Sequence, residues 1–421
     1  MISELVERKH RQTDVLSSRS MKRQIDSYAP FTRLLLIGAI ACTTVPGVSA
    51  PKRGNVPDEK DTGEVATEIA QLIEKSPFNV WGLDFSPDGK YLAAVSPSSN
   101  EIHVWDWRNR RIVRTLEKVK QGSSSGLATE PLRYSPDGRM LANCHRRAAG
   151  NVVIRIWNTE TAAIVRDITT PQLGICRAIG FTPDGGSFAW ISDRPKGDQL
   201  MIHSTESWES IWGLNAVPFY PETLAISPDG KSIALGGHTG GPGVVAQHQI
   251  LIVDVAQRAV VRTIDAFPTI PTAPMENQIQ RLAWHPDGVH VAAGASLTAS
   301  LKRAAPWPDA IRIFNARSGK LLGREPAEYA NIWTLRYTPN GKYLIASHFK
   351  ASTAVAGGPA RERLSLDSGA RAAEVAIRIW DGGHRQLLQE IRGEPGAAAV
   401  TRDGRYLALG GDDIIYVFQL K

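Results

Sequence analysis

Three observations predict an all-β protein, a seven-bladed β-propeller built from four-stranded antiparallel blades. A Pro-Asp-Gly turn comes back along the chain at a spacing near that of one blade. Apolar residues alternate with polar ones on either side of it. An apolar residue followed by a small one sits at a fixed offset behind it.

The unit is clearest at its first copy. Leu83 and Phe85 alternate with polar or small neighbours, as in a half-buried strand, and run into Ser86-Pro87-Asp88-Gly89. Pro presets φ at the first corner, Asp tolerates the second, and Gly takes the left-handed position that follows. Tyr91 to Val95 reads as the returning strand, Ile102 to Trp105 as a third, and Arg111 to Leu116 as a fourth. The turn recurs at Pro136-Asp137-Gly138, Pro183-Asp184-Gly185, Pro228-Asp229-Gly230, Pro286-Asp287-Gly288 and Pro339-Asn340-Gly341. The last copy, Arg402-Asp403-Gly404, has lost its proline. Its middle residues stand at 88, 137, 184, 229, 287, 340 and 403, close to a blade period of ~40–50 residues. Behind the glycines lie Leu92-Ala93, Leu141-Ala142, Phe188-Ala189, Ile233-Ala234, Val291-Ala292, Leu344-Ile345 and Leu407-Ala408. Blades packed face to face around a tapering axis call for such a pair.

On these turns, and on the third-strand ends Trp105-Asp106, Trp157-Asn158, Val253-Asp254, Phe314-Asn315 and Trp380-Asp381, the chain resembles the WD-repeat β-propellers, as a divergent, bacterial-type member. The likeness runs over residues 64–421. It departs from the family in lacking the Gly-His dipeptide, and in carrying His203-Ser204 and Phe418-Gln419 where Trp-Asp belongs. The resemblance implies a ring that acts as a protein-binding scaffold. The chain ends at Ile414 to Lys421, a third strand with no fourth behind it. The segment before the first blade, with 64–69 and 69–74 both fitting, is expected to pair with it and close the ring.

Ahead of the ring, Lys22, Arg23 and Arg33 precede the apolar run Leu34 to Cys42, and Val48-Ser49-Ala50 follows. This order reads as a secretory signal peptide cleaved after Ala50, with Met21 as the expected start of translation. The apolar run is too short for a membrane-spanning helix of ~20 residues. Cys42, after Ala39-Ile40-Ala41, leaves lipid attachment open as a variant. Residues 1–50 are thus a leader, 51–63 a polar linker and 64–421 the ring. The expected location is periplasmic or extracellular, with a cytoplasmic protein as the alternative.

The whole chain has 49 Lys and Arg against 42 Asp and Glu. Removing seven and four with residues 1–50 leaves 42 against 38, or +4. That mild balance argues against a dedicated nucleic-acid binder, which needs a concentrated basic face. A monomeric ring is expected. Cys144 closes the second strand of blade two and Cys176 opens the first of blade three, on one rim. Either a disulfide or two buried thiols satisfies that placement.

The segments between second and third strands lengthen along the chain: Ser96 to Asn100 in blade one, Gly236 to Gln247 in blade four, Ala295 to Asp309 in blade five, and Ser347 to Glu374 in blade six. Loops on one face of a rigid ring are where binding concentrates. Arg146, Arg147, Arg194, Lys196, Lys302, Arg303, Arg361 and Arg363, with Trp81, Trp307 and Trp333, make that face the candidate partner surface, suited to an anionic protein or glycan.

No residue set reads as catalytic, cofactor-binding or metal-binding. Gly122-Ser123-Ser124-Ser125-Gly126 has the spacing of a nucleophile elbow but lies in a low-complexity crossing rather than a strand-to-helix turn. Gly236 to Gly241 is Gly-rich without the Lys-Ser/Thr of a phosphate loop, and reads as a flexible loop. His238 and His248 bracket it without a third ligand at metal spacing. His203 and His285, at strand ends, read as packing residues. The sequence therefore favours a non-catalytic exported scaffold with no cofactor and an unknown protein partner. A propeller enzyme acting at the channel mouth, hydrolase or oxidoreductase, and a carbohydrate or cell-envelope binder are the alternatives.

Overall fold

The computed structural model describes residues 64–74, 80–96, 101–117, 131–146, 151–173, 176–192, 198–241, 244–268, 278–296, 309–326, 331–349, 376–383, 386–392, 396–411 and 413–421. Strand β1 (Ala66–Ile73) comes first. Blade one follows as β2 (Gly82–Phe85), β3 (Tyr91–Val95), β4 (Glu101–Asp106) and β5 (Arg111–Glu117). Blade two is β6 (Leu132–Tyr134), β7 (Met140–Arg146), β8 (Asn151–Asn158) and β9 (Ile164–Leu173). Blade three is β10 (Cys176–Phe181), β11 (Ser187–Ser192), β12 (Leu200–Ser204) and β13 (Ser210–Leu214). Blade four is β14 (Phe219–Ile226), β15 (Ser232–Gly241), β16 (Val244–Asp254) and β17 (Ala259–Phe267). Blade five is β18 (Gln278–Trp284), β19 (His290–Ser296), β20 (Asp309–Asn315) and β21 (Leu321–Pro326). Blade six is β22 (Asn331–Tyr337), β23 (Tyr343–Phe349), β24 (Ala376–Asp381) and β25 (Leu387–Arg392). Blade seven has β26 (Ala398–Val400), β27 (Tyr406–Gly410) and β28 (Ile414–Leu420).

Each blade is an antiparallel meander from its innermost to its outermost strand, and β1 supplies the missing outer strand of blade seven, in the order β1-β28-β27-β26. The closing register runs from Ala66 opposite Leu420 to Ile73 opposite Ile414. A single pair, Ser296 with Asn331, joins the sheets of blades five and six.

The turns explain why the repeat tolerates so much drift elsewhere. In blade one Ser86 Oγ donates to Asp88 Oδ1 at 2.5 Å and accepts from the Tyr91 N–H, while the Lys90 N–H donates to the same carboxylate. Ser135 with Asp137, Thr182 with Asp184, Ser227 with Asp229, Thr338 with Asn340, and Thr401 with Asp403 repeat the arrangement. The hydroxyl and the N–H that follows hold Asp184 and Asp229 below the usual carboxylate range. The fourteen residues behind the turn glycines, Leu92-Ala93 through Leu407-Ala408, are all 0% exposed. Each large member removed from water is worth ~1.5–3 kcal/mol. That burial makes this the most constrained part of the blade.

One expected loop is not a loop. Gly236 to Gly241 and Val244 to Gln247 continue the hairpin of β15 and β16, with Gly236 opposite Ile250, Gly237 opposite Gln249 and His238 opposite His248. The glycines serve close approach. A Cβ on Gly237 would stand 2.1 Å from the Tyr220 carbonyl oxygen, and one on Gly236 2.7 Å from Ile279.

Candidate functional site

The innermost strands of the seven blades surround a central channel, and its two ends differ. At the turn end a mouth of about 520 Å³ is lined by Asp84, Arg133, Arg336 and Arg402 with the aromatic rings of Tyr134, Phe181, Trp284 and Tyr337. The polar side chains here fasten one blade to the next. Asp84 Oδ2 accepts the Tyr134 N–H at 2.7 Å, and Arg336 Nε donates to the Ala398 carbonyl at 2.9 Å. Arg402, which stands where blade seven lacks its proline, reaches the Pro136 carbonyl of blade two at 3.2 Å. Blade seven thus exchanges a rigid corner for a cation that reaches past blade one.

At the other end the innermost strands of blades three to six each carry a bulge at the same place, five residues before the turn begins. The bulged residues are Arg177, Glu222, Gln280 and Trp333. A bulge re-aims its side chain out of the ladder. Arg177 and Glu222 form an ion pair at 3.1 Å. Arg281 holds the bulge of blade six by donating to the Trp333 carbonyl. Trp81, at the matching place in blade one, meets Trp333 edge to face with ring centroids 5.4 Å apart. Blade seven separates these two blades in the ring, so this contact reaches past it. Both indoles are half-buried, at the rim from which the segments between second and third strands leave.

Of the partner-face residues expected from sequence, the structure brings Trp81 and Trp333 together. Arg146 lies in β7 with its side chain outside the described part. Arg147, Arg194, Lys196, Lys302, Arg303, Trp307, Arg361 and Arg363 lie outside the described residues, as do Cys42, the cleavage site at Ala50 and Gly122 to Gly126. Cys144 and Cys176 are joined as a disulfide between blades two and three, with Cα atoms 6.4 Å apart.

The histidines sort into three environments. His203 is buried and accepts the Trp190 indole N–H at 3.1 Å, while its other ring nitrogen lies 3.1 Å from the Trp208 carbonyl. Burial keeps its pKa below the ordinary value. His238 stacks on Tyr220 opposite His248, and burial, with the charge of Arg177, lowers its pKa too. His285 is more than a packing residue. It replaces the turn Ser or Thr in blade five and gathers with Asp287 and His290 so that one ligand atom from each lies within 4.8 Å of the others. Reading the sequence one residue at a time misses this group, because His285 alone reads as a packing residue and His290 belongs to no motif. The signal was two histidines breaking the turn pattern in one copy. Farther out, burial and then the charge of Asp381 push the Glu325 carboxyl up to about 7.

A family model described as "WD domain, G-beta repeat" matches residues 69–106. That span runs from β1 through β4, so the matched unit straddles the closing strand and blade one. SEC12-like protein 2 of Arabidopsis thaliana is 22% identical over 217 residues, 51% of this chain and 52% of its own length. An uncharacterized WD repeat-containing protein of Synechocystis sp. is 24% identical over 203 residues, 38% of this chain and 55% of its own. The chain resembles the WD-repeat propellers. It spans about half the length of these two curated relatives. Among solved structures, a chain of Kuenenia stuttgartiensis hydrazine synthase superposes with a TM-score of 0.60 over 87% of this chain and 99% of its own, at 15% identity. At that identity the likeness is one of fold. No described helix of this WD-repeat-like propeller is long and apolar enough to cross a membrane.

Proposed function

We propose that the chain is a non-catalytic interaction propeller, exported from the cytoplasm, that binds a protein partner through the rim carrying its long segments. The observation that carries this reading is the Trp81–Trp333 pair. Two half-buried indoles from different blades meet at that rim, one of them on a bulge. Trp and Arg are the residue types that dominate binding hot spots, because they offer large contact area on stiff or forked side chains. The Arg- and Lys-rich segments leaving the same rim suit an acidic partner face.

Capture from an envelope extract tests the surface. Trp81→Ala/Trp333→Ala and, separately, Arg361→Glu/Arg363→Glu should each weaken retention of the partner by at least about tenfold. The melting temperature of the charge-reversed chain should not move. Retention unchanged in both variants overturns the reading. Export rests on the leader pattern and on the Cys144–Cys176 link, since disulfides persist in oxidising compartments. Intact mass from the native host should place the mature N-terminus at Pro51 in the soluble envelope fraction. A cytosolic chain that keeps its leader removes this half of the proposal.

A further inference from the structure

The blade-five turn departs from the other six at its opening residue and again five residues later, and each of these departures installs a metal-ligand side chain. Where this turn opens with His285, the others open with Ser86, Ser135, Thr182, Ser227, Thr338 and Thr401. Five residues later, where this turn has His290, the others have Tyr91, Met140, Ser187, Ser232, Tyr343 and Tyr406. Between the two stands Asp287, the turn acid shared with most blades. One side chain thus acts as turn cap elsewhere and faces two imidazoles here.

The geometry is that of a small chelate. His285 Nδ1 lies 3.1 Å from Asp287 Oδ2, and His290 Nδ1 is in hydrogen-bond contact with the same oxygen. Donor atoms around a tetrahedral zinc ion, with bonds of ~2.0–2.1 Å, stand about 3.3 Å apart. The three atoms already lie within 4.8 Å of one another, so modest side-chain rotation closes the set. The carboxylate is held in place by the Val289 N–H at 2.7 Å and the His290 N–H at 3.1 Å, both on Oδ1, which leaves Oδ2 to the histidines. The His285 ring is fixed from behind. Tyr337 meets it edge on with centroids 4.9 Å apart, and it fills the space beside Gly341, where a Cβ would stand 2.9 Å from its Nε2. The far side is open, with the His290 and Asp287 side chains about one third exposed. An ion can enter there and keep water ligands.

We infer that His285, Asp287 and His290 form a three-ligand site for a divalent transition metal of the zinc class, completed by water. Two imidazoles and a carboxylate match the preference of Zn²⁺ for nitrogen with one oxygen, whereas Ca²⁺ and Mg²⁺ require oxygen-rich sets. The site sits on the turn face, beside the channel mouth.

Zinc titration of the chelator-stripped full chain, followed by calorimetry, is the test. The His285→Thr/His290→Tyr variant restores the residues that blade six carries as Thr338 and Tyr343, so the turn keeps a working precedent. Asp287→Asn copies Asn340 of the same blade in the same way. The native chain should take up one more equivalent of Zn²⁺ than either variant, with affinity at this site falling at least ~100-fold on substitution, beyond the cost of losing an outer-sphere partner. Co²⁺ in place of Zn²⁺ should give an absorption band that both variants lack. Equal uptake by the native chain and the variants, or no uptake by the native chain, overturns the inference.

Discussion

Glu74 is buried with its carboxylate divided between two donors of blade one. Oε2 lies 2.6 Å from His103 Nδ1, and Oε1 accepts the Trp105 indole N–H at 2.8 Å. Its backbone N–H donates to the Asp413 carbonyl in blade seven at 2.8 Å. One residue therefore ties the end of β1 to both blades that flank it. Burial disfavours the charged imidazole of His103, but Glu74, and then Glu101, overcome that and raise its pKa above the ordinary value. A group raised in the folded state contributes stability that is fully present below its unfolded value of about 6.5 and is lost as pH rises through the folded value. Glu74→Gln keeps an acceptor for Trp105 and removes the charge. Its deficit in melting temperature should be largest below about pH 6.5 and shrink toward alkaline pH. Glu74→Ala strands both donors and should cost about 3 kcal/mol or more at low pH. Thermal unfolding of the three chains across this range checks it; a deficit that does not change with pH removes His103 from the argument.

At the scale of the element, turn and returning strand were legible because one local rule serves both. A hydroxyl-x-Asp-Gly turn fixes the hairpin within its own residues, and the pair behind it is buried to the same extent in every blade. What was not legible depended on neighbours distant in sequence. The glycines of blade four read as a flexible loop, since glycine lowers strand propensity. They turned out to pair as a ladder, because Tyr220 and Ile279 leave no room for a Cβ beside Gly237 and Gly236. The bulges at Arg177, Glu222, Gln280 and Trp333 share one offset from the turn, yet their residue types have nothing in common. A pattern made of position alone leaves no compositional trace, so Trp81 and Trp333 could be assigned to one rim but not to each other. The blade-five histidines were hidden for the opposite reason. The turn's geometry persists while its side chains change, and only laying the seven copies side by side exposes the exchange.

At the scale of the whole molecule, a ring has one seam, and here four sets of contacts guard it. β1 adds a ladder to β28, with Ala66, Ala70 and Leu72 buried beneath it. Gln389 of blade six takes the Val65 and Ala66 N–H groups on its side-chain oxygen and donates to the Ala66 carbonyl. At the chain end, the Lys421 carbonyl oxygen accepts from Lys342 Nζ at 2.8 Å and from the Tyr343 hydroxyl at 2.7 Å. Glu74 then carries the seam into blade one. Without β1, blade seven ends in β28 with an unpaired row of backbone groups, the template for edge-to-edge association. Deleting residues 64–74 removes the burial of Leu72, worth ~1.5–3 kcal/mol, and breaks the buried Glu74–His103 pair, worth ~3–5 kcal/mol. For a ring of this size that sum corresponds to a fall in melting temperature of roughly 6–11 °C, with oligomers appearing in size-exclusion chromatography. Supplying residues 64–74 as a separate peptide should restore part of the loss, because the ladder needs contact rather than covalent continuity. An unchanged melt after deletion would mean that the ring holds through blade-to-blade packing alone, with β1 as an ornament on a ring already closed.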